Sequence, residues 1–207
     1  MSGPGRLVTL EGVDGAGKTT LAAGLAHALR ERRGVDAHVL REPGGVELAE
    51  RLREVVKDPA LRVGARAEAL IYAAARAQLV EEAVRPLLAA GRWVLLDRYV
   101  DSSLAYQGAA RGLGTEEVAA VNAFGTGGLV PDRTLLLRVE AEVGRERLGA
   151  RGEAADRLER EGDGFFAAIA VAYDGLAAAE PGRWRVLDAR APAEDVLAEA
   201  LAAVADL

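Results

Sequence analysis

The stretch Arg6-Leu7-Val8-Thr9-Leu10-Glu11-Gly12-Val13-Asp14-Gly15-Ala16-Gly17-Lys18-Thr19-Thr20-Leu21 decides the fold. It opens on a short apolar run that ends in glycine, the pattern of a buried strand. From Thr19 the period changes: Leu21, Leu25 and Leu29 recur every four residues up to Gly34, which predicts a helix. Between strand and helix, residues 12–19 match G-x-x-x-x-G-K-[ST] without exception. In such a loop the glycines allow backbone N–H groups to converge on one point, and the helix N-terminus adds its positive dipole end. A chance match is expected about once in a thousand chains of this composition. Gly12, Val13, Asp14, Gly15, Ala16, Gly17, Lys18, Thr19 and Thr20 are therefore the candidate ATP-binding residues. Lys18 is placed to reach the outer phosphates, and the Thr19 hydroxyl to ligate Mg²⁺. The motif alone does not choose among a kinase, a switch GTPase and a motor ATPase.

Working outward, strands and helices alternate. Residues 37–40 read as a second strand, followed by the turn Glu42-Pro43-Gly44-Gly45. Helices are expected over 46–56, with Leu48, Leu52 and Val55 inward, and over 65–90, with Leu70, Ala74, Ala77, Val84 and Leu87 or Leu88 inward. Trp93-Val94-Leu95-Leu96 is a third strand with Asp97 at its carboxyl end, and a polar loop is expected from there to Gly114. A helix over 115–124, a strand over 133–139, helical pattern from Glu142 and again over 165–179, a strand over 185–187 and a helix opened by Pro192 complete the chain. Apolar strands separated by helices imply a parallel sheet covered on both faces. The expected fold is α/β, a P-loop NTPase-type three-layer fold with a five-stranded parallel sheet, one domain over residues 1–207, with a short mobile lid at about 145–160.

Composition narrows the chemistry. The 207 residues are 50% hydrophobic and 28% charged, as in an ordinary globular chain. Without cysteine there is no disulfide framework, thiolate nucleophile or Cys-based zinc site, and two histidines leave little room for a His-rich metal centre. A net charge of −6 argues against nucleic acid as partner. No apolar stretch of about 18 residues suggests a membrane span, and the first residues lack the pattern of a secretory signal, so a cytoplasmic location is expected. Only two of the 26 basic residues are lysines, Lys18 and Lys57, so a lysine on the phosphate-loop position is the more telling.

The second cluster is Asp97-Arg98-Tyr99-Val100-Asp101-Ser102-Ser103-Leu104-Ala105-Tyr106-Gln107-Gly108. In an open α/β sheet, ligands sit beyond the carboxyl ends of the strands. Asp97 there can hold a water of a Mg²⁺ shell, and Arg98 can bind a phosphate bidentately. The plain alternative is an ordinary surface Asp–Arg pair.

Taken together, residues 11–20, Arg41-Glu42-Pro43-Gly44-Gly45, residues 97–108 with Arg111-Gly112-Leu113, and Thr126-Gly127-Gly128-Leu129 with Pro131-Asp132 resemble the bacterial thymidylate kinases, with Tyr72-Ala73-Ala74-Ala75-Arg76 a looser match. The resemblance spans nearly the whole chain. It implies that Tyr72 stacks on thymine, Arg76 donates to a thymine carbonyl, and Ser103 and Gln107 bond the base edge. It further implies that Tyr106 lies against the sugar, Asp14 accepts from the 3′-hydroxyl, and Arg98 holds the monophosphate. Pro43, after Glu42, would shape the backbone around it. For Tyr72 the competing reading is a core aromatic at helical spacing, and for Arg76 a solvated helix arginine.

The mixed charge run at 145–161 reads mainly as a solvated helix face. Phosphoryl transfer nonetheless needs positive charge on the migrating group, and the phosphate loop carries no arginine. In the family such loops are complemented from the lid; Arg151 is the first candidate, with Arg147 and Arg157 as alternatives. Arg138 departs from the acidic residue the family usually carries at the end of the fourth strand, and lies toward the crevice side in this reading.

No general base is evident. A hydroxyl acceptor wants one, whereas a nucleoside monophosphate, whose second pKa is about 6, is mostly dianionic at neutral pH. The reading is therefore ATP-dependent phosphorylation of dTMP with Mg²⁺ by Lys18, Arg98, Arg151 and Asp97, in a chain expected to form a homodimer. The alternatives are a kinase for another deoxynucleotide or deoxynucleoside, and a P-loop switch ATPase. Against the last, the chain has neither an Asn-Lys-x-Asp motif nor a second loop lysine.

Overall fold

The computed structural model describes residues 4–149 and 156–207. Five strands, β1 (Arg6–Glu11), β2 (Ala37–Arg41), β3 (Trp93–Asp97), β4 (Arg133–Arg138) and β5 (Trp184–Asp188), form one sheet in the order β2-β3-β1-β4-β5. All its pairings are parallel. From β1 the chain crosses to β2 on one side, and the β3–β4 connection passes back over β1 to the other, so the crevice opens beyond the carboxyl ends at this reversal. The β1–β3 register sets Leu10 opposite Asp97, so the phosphate loop and the Asp97–Arg98 corner leave the sheet side by side.

Helices cover both faces. α1 (Lys18–Arg33) buries Leu21, Leu25 and Leu29, as their spacing predicts, against Val8, Leu10 and Leu95. It ends at Gly34, whose left-handed conformation lets its N–H reach the Arg30 and Leu29 carbonyls. α2 (Glu47–Lys57) and α3 (Ala65–Leu79) follow β2. α3 runs on through a π turn, Val80–Val84, into α4 (Arg85–Ala89). There the Arg85 N–H bonds the Val80 carbonyl one residue further back than in an α-helix, just before Pro86, which has no N–H to offer. Leu79, Val80 and Val84 pack on Leu7, Val94 and Leu96, the side chains β1 and β3 send to that face.

Three expectations about these helices are corrected. In α2 the buried residues are Ala49 and Val56, while Leu48 and Val55 are exposed and Leu52 is half-buried. In α3 the buried residues are Glu68, Ala73, Ala75, Arg76 and Leu79; Leu70 is 58% exposed and Ala74 is exposed. Alanines on several sides of the helix blur its apolar stripe, and a buried arginine does not look apolar at all. The polar loop expected from Arg98 to Gly114 is instead α5 (Val100–Ser103) continued by a π turn, Leu104–Ala110, which buries Ala105, Tyr106 and Gln107.

The remaining helices are α6 (Thr115–Thr126), α7 (Ala141–Gly149), α8 (Asp163–Ala179) and α9 (Ala193–Ala203). α8 inserts Phe166, Ile169 and Tyr173 into the main core. Arg138 does not face the crevice. It pairs with Asp174 of α8 at 2.7 Å and lines a separate cavity of about 480 Å³ with Val186 and Arg190.

Candidate active site

A crevice of about 650 Å³ lies beyond the carboxyl ends of β1, β2 and β3. Asp14, Lys18, Thr19, Glu42, Pro43, Tyr72, Arg76, Asp97, Arg98, Ser103, Tyr106 and Gln107 all line it. The sequence-predicted residues are thus brought together from four runs of chain, 14–19, 42–43, 72–76 and 97–107.

The phosphate loop forms one wall. Gly12, Gly15 and Gly17 all have positive φ. Two of them are also contacts: a Cβ on Gly12 would meet the Leu137 carbonyl oxygen at 2.6 Å, and one on Gly15 would collide with the Gly144 carbonyl of α7. α1 starts without a side-chain cap, so its first N–H groups remain open to an anion. The Lys18 Nζ donates to the Val13 and Gly12 carbonyls at 2.8 and 3.1 Å, folded onto the loop it serves. Burial, and then the positive charge of Arg98, push its ammonium down to about 8. The Thr19 hydroxyl donates to Asp97 Oδ2 at 2.8 Å. This is a hydroxyl–carboxylate pair of hard oxygens, the donor set that suits Mg²⁺ with its remaining positions left to water and phosphate.

Arg98 adopts φ 71°, the one non-glycine residue with positive φ among those described. That strained backbone turns its guanidinium back over the loop. Its Nη1 donates to the Gly12 carbonyl and to Ser102 Oγ at 3.0 and 3.1 Å, its Nη2 to Asp14 Oδ1 at 2.7 Å, and its plane lies 5.1 Å from the Tyr106 ring. Burial would raise the Asp14 carboxyl, but Arg98 and then Lys18 hold it well below the usual carboxylate range. The plain alternative, an Asp97–Arg98 surface pair, is not formed: Asp97 pairs with Thr19 and Arg98 with Asp14.

Beneath Arg98 is a network that sequence reasoning missed. Glu11 accepts from Ser102 Oγ at 2.5 Å, from the Tyr173 hydroxyl at 2.9 Å and from the Tyr99 N–H at 2.8 Å. Burial, and then the charge of Asp101, raise its carboxyl to about 7 against those hydrogen bonds. Nothing in the local pattern links Tyr173, in a late helix, to Glu11.

The opposite wall holds Tyr72, Arg76, Ser103 and Gln107. Tyr72 is half-buried on the crevice side of α3. Arg76 is not a free donor. Its Nε and Nη2 both engage Glu42 Oε2 at 2.7 and 2.6 Å, Nη2 also donates to the Tyr99 carbonyl at 2.9 Å, and Nη1 donates to Ser103 Oγ at 2.9 Å and to Asn122 Oδ1. All five N–H groups are engaged, so a base carbonyl there would have to share or displace a protein acceptor. Tyr106 keeps its hydroxyl 3.3 Å from Asp14 Oδ2 and meets Phe165 edge-on at 6.1 Å. The Glu42–Pro43 bond is cis, and the Pro43 carbonyl accepts from Arg53 Nη1 at 2.9 Å. Arg53 and Lys57, the latter paired with Asp156 at 2.7 Å, also line the crevice; Arg53 was marked in advance only by its helix after the Gly-Gly turn, Lys57 also by the rarity of lysine in this chain.

Among known proteins, residues 10–200 match the thymidylate kinase family. A thymidylate kinase from Halorhodospira halophila is 46% identical, the alignment covering 100% of this chain and 97% of that one. One from Deinococcus radiodurans is 48% identical over 98% and 97%. This chain belongs to the thymidylate kinase family. A crystal structure of the thymidylate kinase from Ehrlichia chaffeensis matches with a TM-score of 0.78 at 25% identity, covering 97% of this chain and 98% of that one.

Two of the three lid candidates of this thymidylate kinase family member are engaged elsewhere. Arg147 gives both terminal nitrogens to the Ala189 carbonyl, and Arg157 donates to the Val56 carbonyl and to Glu68. Arg151 lies outside the described residues. No group of three or more His, Asp or Glu side chains placed to hold a metal occurs among the described residues, and no described helix is long and apolar enough to cross a membrane.

Proposed function

We propose that this chain transfers the γ-phosphoryl group of ATP to the phosphate of dTMP, giving ADP and dTDP, and that residues 1–207 act as one P-loop kinase domain. The observation that carries the reading is the continuity of the crevice, which joins the phosphate loop to a wall of Tyr72, Ser103 and Gln107 with Arg98 between them.

Loop N–H groups and Lys18 hold the β- and γ-phosphates of ATP. Thr19 and Asp97 would hold a Mg²⁺ ion, which when bound would supply neutralisation of charge on the phosphates. Arg98 exchanges its loop carbonyl for the dTMP phosphate and holds one of its oxygens in line with the γ-phosphorus. That dianionic oxygen attacks, the bond to the ADP oxygen breaks, and no proton need be removed. Asp14, kept ionised beside Arg98, accepts from the sugar 3′-hydroxyl. Tyr106 packs where a 2′-hydroxyl would sit, and Tyr72 offers its ring face to thymine. With Arg147 and Arg157 engaged, Arg151 is the lid arginine assigned to charge on the migrating group.

A homodimer belongs to the same proposal. Phe124 is 92% exposed and Leu70 58%, beside the seam where Gly125 of α6 lies against Ala73 and Ala77 of α3. A second copy laid on this face buries both. The cytoplasm is the proposed setting, where both nucleotide substrates are metabolised. ADP release coupled to NADH oxidation, measured across dTMP, dUMP, dCMP, dGMP and dAMP, tests the function. dTMP is expected to give the highest kcat/KM and dUMP the next; equal rates with dCMP or a purine overturn it.

A further inference from the structure

Glu68 is buried to 0% exposure on α3, and its two oxygens receive four hydrogen bonds. Oε1 accepts from Gln107 Nε2 at 2.9 Å and from Arg111 Nε at 3.2 Å. Oε2 accepts from Arg111 Nη2 at 3.1 Å and from Arg157 Nη2 at 2.7 Å. Arg111 is itself braced by Glu161 at 2.6 Å and stacks 4.6 Å from the Phe165 ring. A carboxylate held between two arginines offers only acceptors. It therefore dictates which end of the Gln107 amide it faces: the NH₂ group. The amide oxygen diverges from that direction, on a residue that lines the crevice, and it has no partner among the described residues.

We propose that Glu68 is a positioning residue that fixes the polarity of the Gln107 amide and so makes the base site select a ring carrying an imide N–H. The inference rests on the thymidylate reading above and adds its selectivity rule. Thymine and uracil present N3–H between two carbonyls, and an amide oxygen accepts from it. Cytosine presents a lone pair at N3, which meets that oxygen as acceptor against acceptor. A freely turning glutamine would accommodate either base by rotating its amide; one pinned by Glu68 cannot. Glu68→Gln removes the pin, because its own amide can offer Gln107 a donor as readily as an acceptor.

The experiment compares kcat/KM for dTMP and dCMP, with KM for ATP, in the parent, Glu68→Gln, Gln107→Met and the double variant. Glu68→Gln is expected to narrow the dTMP-to-dCMP ratio about five- to thirtyfold with KM for ATP unchanged, the scale of one mispaired buried polar group. Gln107→Met should narrow it similarly, and the double variant should narrow it no further than Gln107→Met alone. A Glu68→Gln enzyme that loses the same factor on both substrates, ratio intact, overturns the proposal and leaves Glu68 as a structural brace. If Glu68→Gln fails to fold, Gln107→Met decides: an unchanged ratio overturns the proposal. A parent enzyme without preference for dTMP overturns the thymidylate reading itself, which the parent arm reveals before any variant is compared.

Discussion

The two ends of the crevice are made in different ways. At the proposed phosphate end the lining groups are those of the loop and the start of α1, with Lys18 and Thr19, drawn from one short run of chain and completed by Asp97 and Arg98. At the proposed base end Arg76 comes from α3 and Ser103 and Gln107 from the run of α5 and its π turn, and each is held by other side chains: Arg76 by Glu42 and Asn122, Ser103 by Arg76, Gln107 by Glu68. The first end is organised by backbone conformation, the second by buried ion pairs. Loss of one side chain should therefore cost rate at the first end and stability at the second.

The sharpest way to break that contrast is Lys18→Ala. Kcat is expected to fall on the order of 100-fold or more, because a charge on the transferring group is lost in a dry site. The thermal midpoint should move little, since among the described residues Lys18 hydrogen-bonds only to carbonyls of its own loop. A steady-state assay beside a melting curve checks both halves, and unchanged kcat would place the phosphate site elsewhere.

Arg76→Ala should behave the opposite way. It leaves Glu42 buried without its cation, a loss of about 3–5 kcal/mol in stability. KM for dTMP should rise while KM for ATP stays put. Chemical denaturation reads the first effect and kinetics the second; a fully stable Arg76→Ala protein would show that the base end is not held by its ion pairs.

The smallest expected effect is in pH. Lys18 titrates near 8 in the folded chain rather than at its ordinary 10.5. As pH rises through 8 the free enzyme loses the ammonium, so kcat/KM for ATP should fall about tenfold between pH 7 and pH 9. Stability should move the other way. Between about 8 and 10.5 the unfolded chain holds a proton that the folded chain has released, so this group's contribution to unfolding free energy rises with pH across that window. A kcat/KM profile flat to pH 10 would contradict the depressed lysine.

The same contrast explains what could be read from the chain. The phosphate loop, the five strands and the placement of Asp97 were legible because each depends on residues a few positions apart. The place of Arg98 in the crevice was legible, but its left-handed backbone was not, since glycine is the usual marker of that conformation. Arg76 was found, yet its saturation was hidden: Glu42 lies 34 residues away and Asn122 lies 46 away. The burial of Glu11 and Glu68 gave no signal, because a buried carboxylate looks in sequence like any surface acid, and the link from Tyr173 to Glu11 spans 162 residues. The inward face of α3 was misread for a related reason, as its alanines carry little periodicity while Leu70 stands in the open.

One contact remains to be followed outward. Gly15 and Gly144 meet backbone to backbone, and a Cβ on Gly144 would stand 2.5 Å from the Asp14 carbonyl oxygen. With no side chain between them, the nucleotide loop and the root of α7 behave as two bare surfaces of a bearing. A displacement of either reaches the other without slack, and a single methyl group at this spot becomes a wedge.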